Sequence, residues 1–380
     1  MCRTSSCQDT QWSFRGNERM QETKKFRVNL GTFDLVKGIA VIFMVMGHVL
    51  SYYNVDQMKV LAPVFLGMLF ASNGLMPLFF LISGYGFQAK PAGTMLKKTA
   101  RDLLRPYVWV MVFVAVLFPI IHYLNYGWWP GALQEAFRYL LGFLAGTARP
   151  GKILFGYSLY ECTVVWFLLS MFWALNILNL ILKIQNEAVQ AALVLVCILG
   201  GWFFYSLDFI YYCIPQGFSA VGFCYLGHVF KKYRILERVK TSKKRYGVFL
   251  VLFLITLWRC RLSRFDLAYG QYEHFALDYV CAACTGILLL FLGAYSGQAE
   301  WKGLDWIRII GIFSYWIICI HNVEQVCIPW YRWGEMMAEH QVLGFLIEIS
   351  IKAVIYTAVC LILKRITRYQ YLRKRGSHGK

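Results

Sequence analysis

Lys37 and His48 are the residues of the first long apolar run whose types suit chemistry, and they stand eleven positions apart. At about 100° per residue that separation is roughly 20° past three full turns. On a helix the two side chains therefore share a face, about 16 Å apart along the axis. Ionisable groups inside a bilayer are costly and usually face a cavity or one another. A lysine near the mouth of such a helix suits a phosphate or nucleotide headgroup. A histidine deeper in suits proton transfer, because its pKa lies near neutrality. The alternative is a lysine reaching out to the interface and a histidine held by structural hydrogen bonds.

Other polar residues in apolar surroundings extend the set. Lys97, Lys98, Arg101 and Arg105 precede Pro106-Tyr107. Arg101 and Arg105 are spaced i,i+4 and share a face on a helix, placed either to clamp phosphates or to anchor a positively charged loop. The segment Met76–Phe87 carries Ser83, Gly84 and Tyr85. Ser83 lacks the glycine elbow of a nucleophilic serine, so close helix packing is its expected role. Ser314 and His321 lie in another apolar run, with His321 a substrate contact, a second acid/base or a satisfied core residue. Glu348 and Lys352 are spaced for an i,i+4 ion pair. Glu161, Asp208 and Asp278 stand where they could line an acceptor site, and His122 and His228, near span ends, suggest no chemistry. Cys281 and Cys284 form a CxxC without a second pair or a nearby histidine, so neither a metal nor a disulfide framework is expected.

These residues need elements that cross a membrane. The chain of 380 residues is 58% hydrophobic and only 16% charged, with a mean hydropathy of +0.50. Soluble domains are about 25% charged. The apolar residues come in runs of about 20, the length of a membrane helix. A soluble enzyme, a disulfide-rich secreted domain and a disordered chain are excluded, and a barrel would alternate every second residue. The fold class expected is an all-α polytopic membrane protein. Ten spans are predicted: 34–53, 60–88, 104–124, 158–182, 189–206, 209–230, 246–260, 275–297, 304–324 and 342–363. The weaker stretch 132–145 is expected to lie in the interface.

The net charge is +19, from 39 basic and 20 acidic residues. With the N-terminus inside, the inner segments hold 29 of the basic residues and the outer segments eight. This asymmetry predicts that both termini are cytoplasmic. It also accounts for the charge as lipid-facing topology charge, so no nucleic-acid partner is expected. Residues 1–30 form a cytoplasmic tail, 31–365 the membrane domain and 366–380 a basic cytoplasmic tail in this reading.

The run DLVKGIAVIFMVMGH at 34–48, MPLFFLISGY at 76–85, the basic loop ending in Arg105-Pro106-Tyr107, Trp166-Phe167-Leu168, and GIFSYWIICIH at 311–321 occur in one order. Together they resemble the membrane-bound acyltransferase 3 family, over about residues 30–365. The resemblance implies transfer of an acyl group, often acetyl, from cytoplasmic acyl-CoA to a hydroxyl of a cell-envelope carbohydrate or a similar or lipid-linked acceptor. It implies a multi-pass bacterial plasma-membrane enzyme with no tightly bound cofactor, acetyl-CoA being a substrate. His48 is then the catalytic histidine. Lys37, Lys98, Arg101 and Arg105 would hold the CoA phosphates, and Ser83, Tyr85, Trp166, Ser314 and His321 would contact the acceptor or support the site. The family pattern has two arginines with two residues between. Here Lys98 and Arg101 keep that spacing with lysine in place of arginine, while Arg101 and Arg105 are one step wider, so either pair could serve. Some members carry a fused extracytoplasmic domain. None is seen in this sequence, which implies direct transfer within the membrane or a separate extracytoplasmic partner. The rival classes are a proton-coupled transporter using His48 and His321 as a relay, and an accessory membrane module without acyl transfer.

Overall fold

The structure is a computed structural model. It describes residues 30–151, 153, 154, 156–241, 245–259, 265–296 and 302–377. The tail 1–29 and the outer-loop basic residues Lys152, Arg261 and Arg264 lie outside the described residues.

The chain is an all-α polytopic membrane protein. Its helices are α1 (Asp34–Leu50), α2 (Ala62–Tyr85), α3 (Ala92–Thr99), α4 (Arg105–Tyr126), α5 (Trp129–Ala145), α6 (Trp166–Ile181), α7 (Glu187–Ser206), α8 (Ile214–Lys232), α9 (Ile235–Thr241), α10 (Arg245–Arg259), α11 (Phe275–Ser296), α12 (Asp305–Ile312), α13 (Ser314–Cys327), α14 (Trp330–Met336) and α15 (Gln341–Ser377). A two-stranded antiparallel hairpin, β1 (Ile153–Leu154) with β2 (Tyr157–Ser158), precedes α6.

Ten spans were predicted. Among the described residues seven helices are long and apolar enough to cross a bilayer, and a bent pair makes an eighth. The two remaining predicted spans are helical but differ in kind. Helix α8 is built from small and polar residues (Gln216, Gly217, Ser219, Ala220, Gly222 and Gly227 are all buried), because α2, α6 and α7 surround it. A helix packed on all sides gains from close approach rather than from oily side chains. Helix α10 has 15 described residues, and 242–244 and 260–264 on either side lie outside the described residues. The predicted span 304–324 is the bent pair: α12 and α13 meet at Phe313 with a 75° change of direction. Helix α5 covers the stretch expected in the interface and packs on α4.

Two pairs of glycines set the closest crossings. An added Cβ at Gly38 would overlap the Ile307 carbonyl, and one at Gly311 would overlap that of Asp34, so α1 and α12 touch backbone to backbone. Gly84 meets the Cys224 backbone and Gly227 the Leu81 carbonyl at the α2–α8 crossing. At the end of α2 it is Gly84 that makes this close approach, while Ser83, expected as a packing residue, is half-buried and lines a cavity described below.

Between α10 and α11 a buried pair, Arg259 with Asp278, is sealed from solvent. Asp278 also accepts from the His274 backbone N–H at 2.7 Å. The sequence reading that placed Asp278 at an acceptor site is therefore corrected: its carboxylate neutralises a buried guanidinium. Replacing Arg259 by leucine leaves that carboxylate buried without its cation, and about 3–5 kcal/mol of stability is expected to be lost. The double replacement with Asp278→Leu should recover most of it, as read from thermal melts of the purified protein.

Candidate active site

His48 sits in the last turn of α1, two residues before its end at Leu50, half-buried. Its ring centroid is 5.3 Å from that of His321 on α13. Its Nδ1 is 3.2 Å from the side-chain amide of Gln325, one turn beyond His321. The sequence pairs these helices through their polar faces: His321, Glu324 and Gln325 are spaced i, i+3 and i+4, so one helix surface carries all three.

His321 is fully buried. Its Nδ1 lies 2.7 Å from Glu324 Oε1 and 2.9 Å from the Tyr356 hydroxyl. A carboxylate facing Nδ1 selects the tautomer with the proton on that nitrogen. The lone pair then belongs to Nε2, which is buried and has no hydrogen-bond partner among the described residues. Glu324 is the hub of the cluster. It accepts from Lys352 Nζ at 2.7 Å to each oxygen, from the Tyr356 hydroxyl at 2.8 Å and from the Trp330 indole N–H. Lys352 also lies 3.5 Å from Glu348, the i,i+4 pair expected from sequence, and 4.1 Å above the Trp330 ring. Glu348 accepts from the Tyr53 hydroxyl at 2.9 Å. Two carboxylates thus enclose one ammonium. Such a buried group is retained only when its charges are paired and hydrogen-bonded.

At the other end of α1, Lys37 pairs with Asp34 at 2.6 Å. It lines a cavity of about 440 Å³ with Ser83, Lys98 and Ser314. Arg101 and Arg105 open instead on a groove of about 1130 Å³ that runs along α4 and α13, past Trp109, Phe113 and Cys319, to Glu324. Leu103 and Tyr315 line both spaces. The basic residues are held by a π turn, Ala100–Leu104, joining α3 to α4. Pro106 has no N–H to offer the carbonyl four residues back and its ring crowds that carbonyl. The backbone widens there, a common device at functional sites, and the Asp102 carbonyl accepts from the Tyr315 hydroxyl at 2.6 Å. Asp102 also takes Lys98 at 3.1 Å and Arg101 at 2.8 Å, so both members of the narrower cation pair share one carboxylate.

The candidates named from sequence thus fall in two clusters. His48 and His321 meet at one end of α1, and Lys37, Ser83, Lys98 and Ser314 share a cavity at the other, next to Arg101 and Arg105. Tyr85 is packed against Phe33 at 5.4 Å and lies in neither cluster. Trp166 is buried against Phe167. Glu161 is bonded to the Tyr269 hydroxyl at 2.7 Å, and Asp208 lies 3.7 Å from Arg149. Sequence reasoning missed Glu324, Gln325, Tyr356 and Tyr53. The first two had a signal, since they share a helix face with His321. The tyrosines had none.

A family model described as an acyltransferase domain matches residues 30–365. No curated protein and no solved structure matches the chain.

Proposed function

Because the chain belongs to the acyltransferase 3 family, we propose that it moves an acyl group, acetyl in the first instance, from acyl-CoA to an acceptor hydroxyl inside the bundle. The observation that carries this reading is the His48–His321–Glu324 array: two imidazoles 5.3 Å apart, one held by a buried carboxylate. In the reaction the hydroxyl oxygen forms its bond to the thioester carbon while its proton passes to His48. The carbon–sulfur bond breaks, and the leaving thiolate recovers a proton as free CoA. The positive charge gained by the imidazole pair is balanced by Glu324 and Glu348, which together outnumber Lys352. His321, oriented through Nδ1, either relays the proton or takes it directly; the carboxylate contact favours a working part for it beyond packing.

The donor enters from the Lys37 end in this reading. Arg101 and Arg105 stand at one end of a groove whose other end reaches Glu324. That arrangement supports phosphates on the guanidinium groups and an acyl-pantetheine arm in the apolar channel. The acceptor approaches from the His48 end, as a cell-envelope carbohydrate or a related hydroxyl compound. The basic asymmetry of the loops supports cytoplasmic termini and a donor supplied from the cytoplasm of a bacterial cell.

The test is equilibrium binding of acetyl-CoA to the protein in nanodiscs, with CoA as competitor and Arg101→Glu/Arg105→Glu as control. Saturable binding is expected, weakened at least tenfold in the control, since each charge-assisted bond contributes about 1.5–3 kcal/mol. Folded protein that binds neither acetyl-CoA nor longer acyl-CoAs would sink the acyltransferase reading and favour a transporter or accessory module.

A further inference from the structure

The connection that enters α6 and the connection that enters α8 each carry a fully buried cysteine, Cys162 and Cys213. We propose that these two are joined by a disulfide in the mature protein, tying the start of α6 to the start of α8 across the turn that ends α5. Such a bond is independent of the acyl-transfer reading. About 50 residues separate the pair, and spacing alone does not assign a connectivity.

Three observations carry it. First, both cysteines are bonded to one turn. The Cys213 N–H and thiol donate to the Gly146 carbonyl, at 3.0 and 3.1 Å. The Cys162 N–H donates to the next carbonyl, that of Thr147, at 2.8 Å. Residues bonded to successive carbonyls are held side by side, and here the two thiols are in hydrogen-bonding contact. A disulfide requires close, facing side chains. Thiols already in contact need rotation of their side chains, not a shift of the helices, to meet that requirement.

Second, the backbone beside both sulfurs is strained. Cys213 has φ of +50°, Tyr212 before it +56°, and Thr163 after Cys162 +43°. Residues with a β-carbon seldom enter this left-handed region, and a β-branched threonine least of all. Such conformations persist only where the surroundings over-determine them. A covalent tie between the two strained turns is a constraint of that kind. Third, the compartment suits the bond. The loop charges put these connections on the side away from the basic loops, outside the cytoplasm. Disulfides form and persist there. Cys224, Cys281 and Cys360, by contrast, lie within helices.

The tie reaches the candidate site. Asn322, the residue after His321, donates to the Cys162 carbonyl at 3.0 Å and to the Thr163 hydroxyl. Fixing that turn steadies the helix that presents His321. The structure holds the pair as thiols, and the bond is made by exchange with the disulfide of an extracytoplasmic dithiol carrier. One cysteine thiolate attacks a carrier sulfur and forms a mixed disulfide. The second cysteine thiolate attacks that intermediate and releases the carrier. One S–S bond forms and one breaks. The carrier leaves as a dithiol with the two protons and two electrons that the cysteines give up. This exchange belongs to folding, before the turns bury both sulfurs.

Mass spectrometry on the full chain from intact cells tests it. Cells are quenched in acid, and the protein is unfolded with N-ethylmaleimide and no reductant, so that free thiols are capped before digestion. A fragment pair joined through Cys162 and Cys213, and separated by a phosphine reductant, is expected. In Cys162→Ala, Cys213 should carry maleimide instead. Thermal melts give the second readout. Cys162→Ala, Cys213→Ala and the double variant should melt together, several degrees below wild type, because each removes the same bond. Maleimide on both cysteines of the wild-type chain, a bond from either one to a different cysteine, or melting losses that simply add would each overturn the disulfide.

Discussion

Replacing His48 by alanine is expected to abolish acyl transfer while leaving the protein folded and able to bind acetyl-CoA. Positioned general acid–base groups contribute about 10²–10⁴ in rate, so the remaining activity should sit near background. The fold should tolerate the change for a local reason. His48 is half-buried, and its polar contact is a single hydrogen bond to Gln325. The charged cluster is built on α13 and α15 and does not use it. The measurement is the rate of acetyl transfer at saturating donor, alongside acetyl-CoA affinity and the thermal midpoint. His321→Ala belongs in the same series. If His48→Ala keeps its full rate while His321→Ala loses it, the base is the histidine held by Glu324, and His48 only helps to place it. If both retain activity, the paired-imidazole mechanism is wrong.

Length and polarity made most of the membrane fold legible. Long apolar runs cannot hide outside a bilayer, so helices α1, α2, α4, α6, α7, α11 and α15 fall where hydropathy places them. What was not legible follows from packing. Helix α8 looks like an ordinary span in sequence, yet its small residues mark it as the centre of the bundle. The bend at Phe313 leaves no proline or glycine pair to read; it follows directly on the stretch of α12 where Gly311 and Gly38 let the backbones of α12 and α1 touch. The site divides in the same way. The Lys37-to-His48 spacing follows from helix geometry alone. That Lys352 would take Glu324 from another helix as well as Glu348 depends on the meeting of α13 and α15, which no local pattern encodes.

Glu324 is where stability and function are expected to separate. Glu324→Leu removes the acceptor of four donors: His321, Lys352, Tyr356 and Trp330. It leaves Lys352, buried to 1% exposure, with Glu348 at 3.5 Å as its remaining carboxylate. Breaking a buried pair from one side costs about 3–5 kcal/mol, so a large fall in thermal midpoint is expected. The double variant Glu324→Leu/Lys352→Met replaces both charges with apolar groups of similar volume, a change that is often neutral or stabilising. Most of the lost stability should therefore return. Transfer activity should not, because His321 has lost the carboxylate that fixes its tautomer and balances the charge arriving with the proton. If acetyl-CoA affinity is set at the Arg101 and Arg105 end of the groove, as proposed, it should stay near wild type in the double variant. A double variant that regains both stability and activity would show that Glu324 serves only to neutralise Lys352. One that regains stability alone would assign the carboxylate to the chemistry, and would do so without relying on a protein that fails to fold.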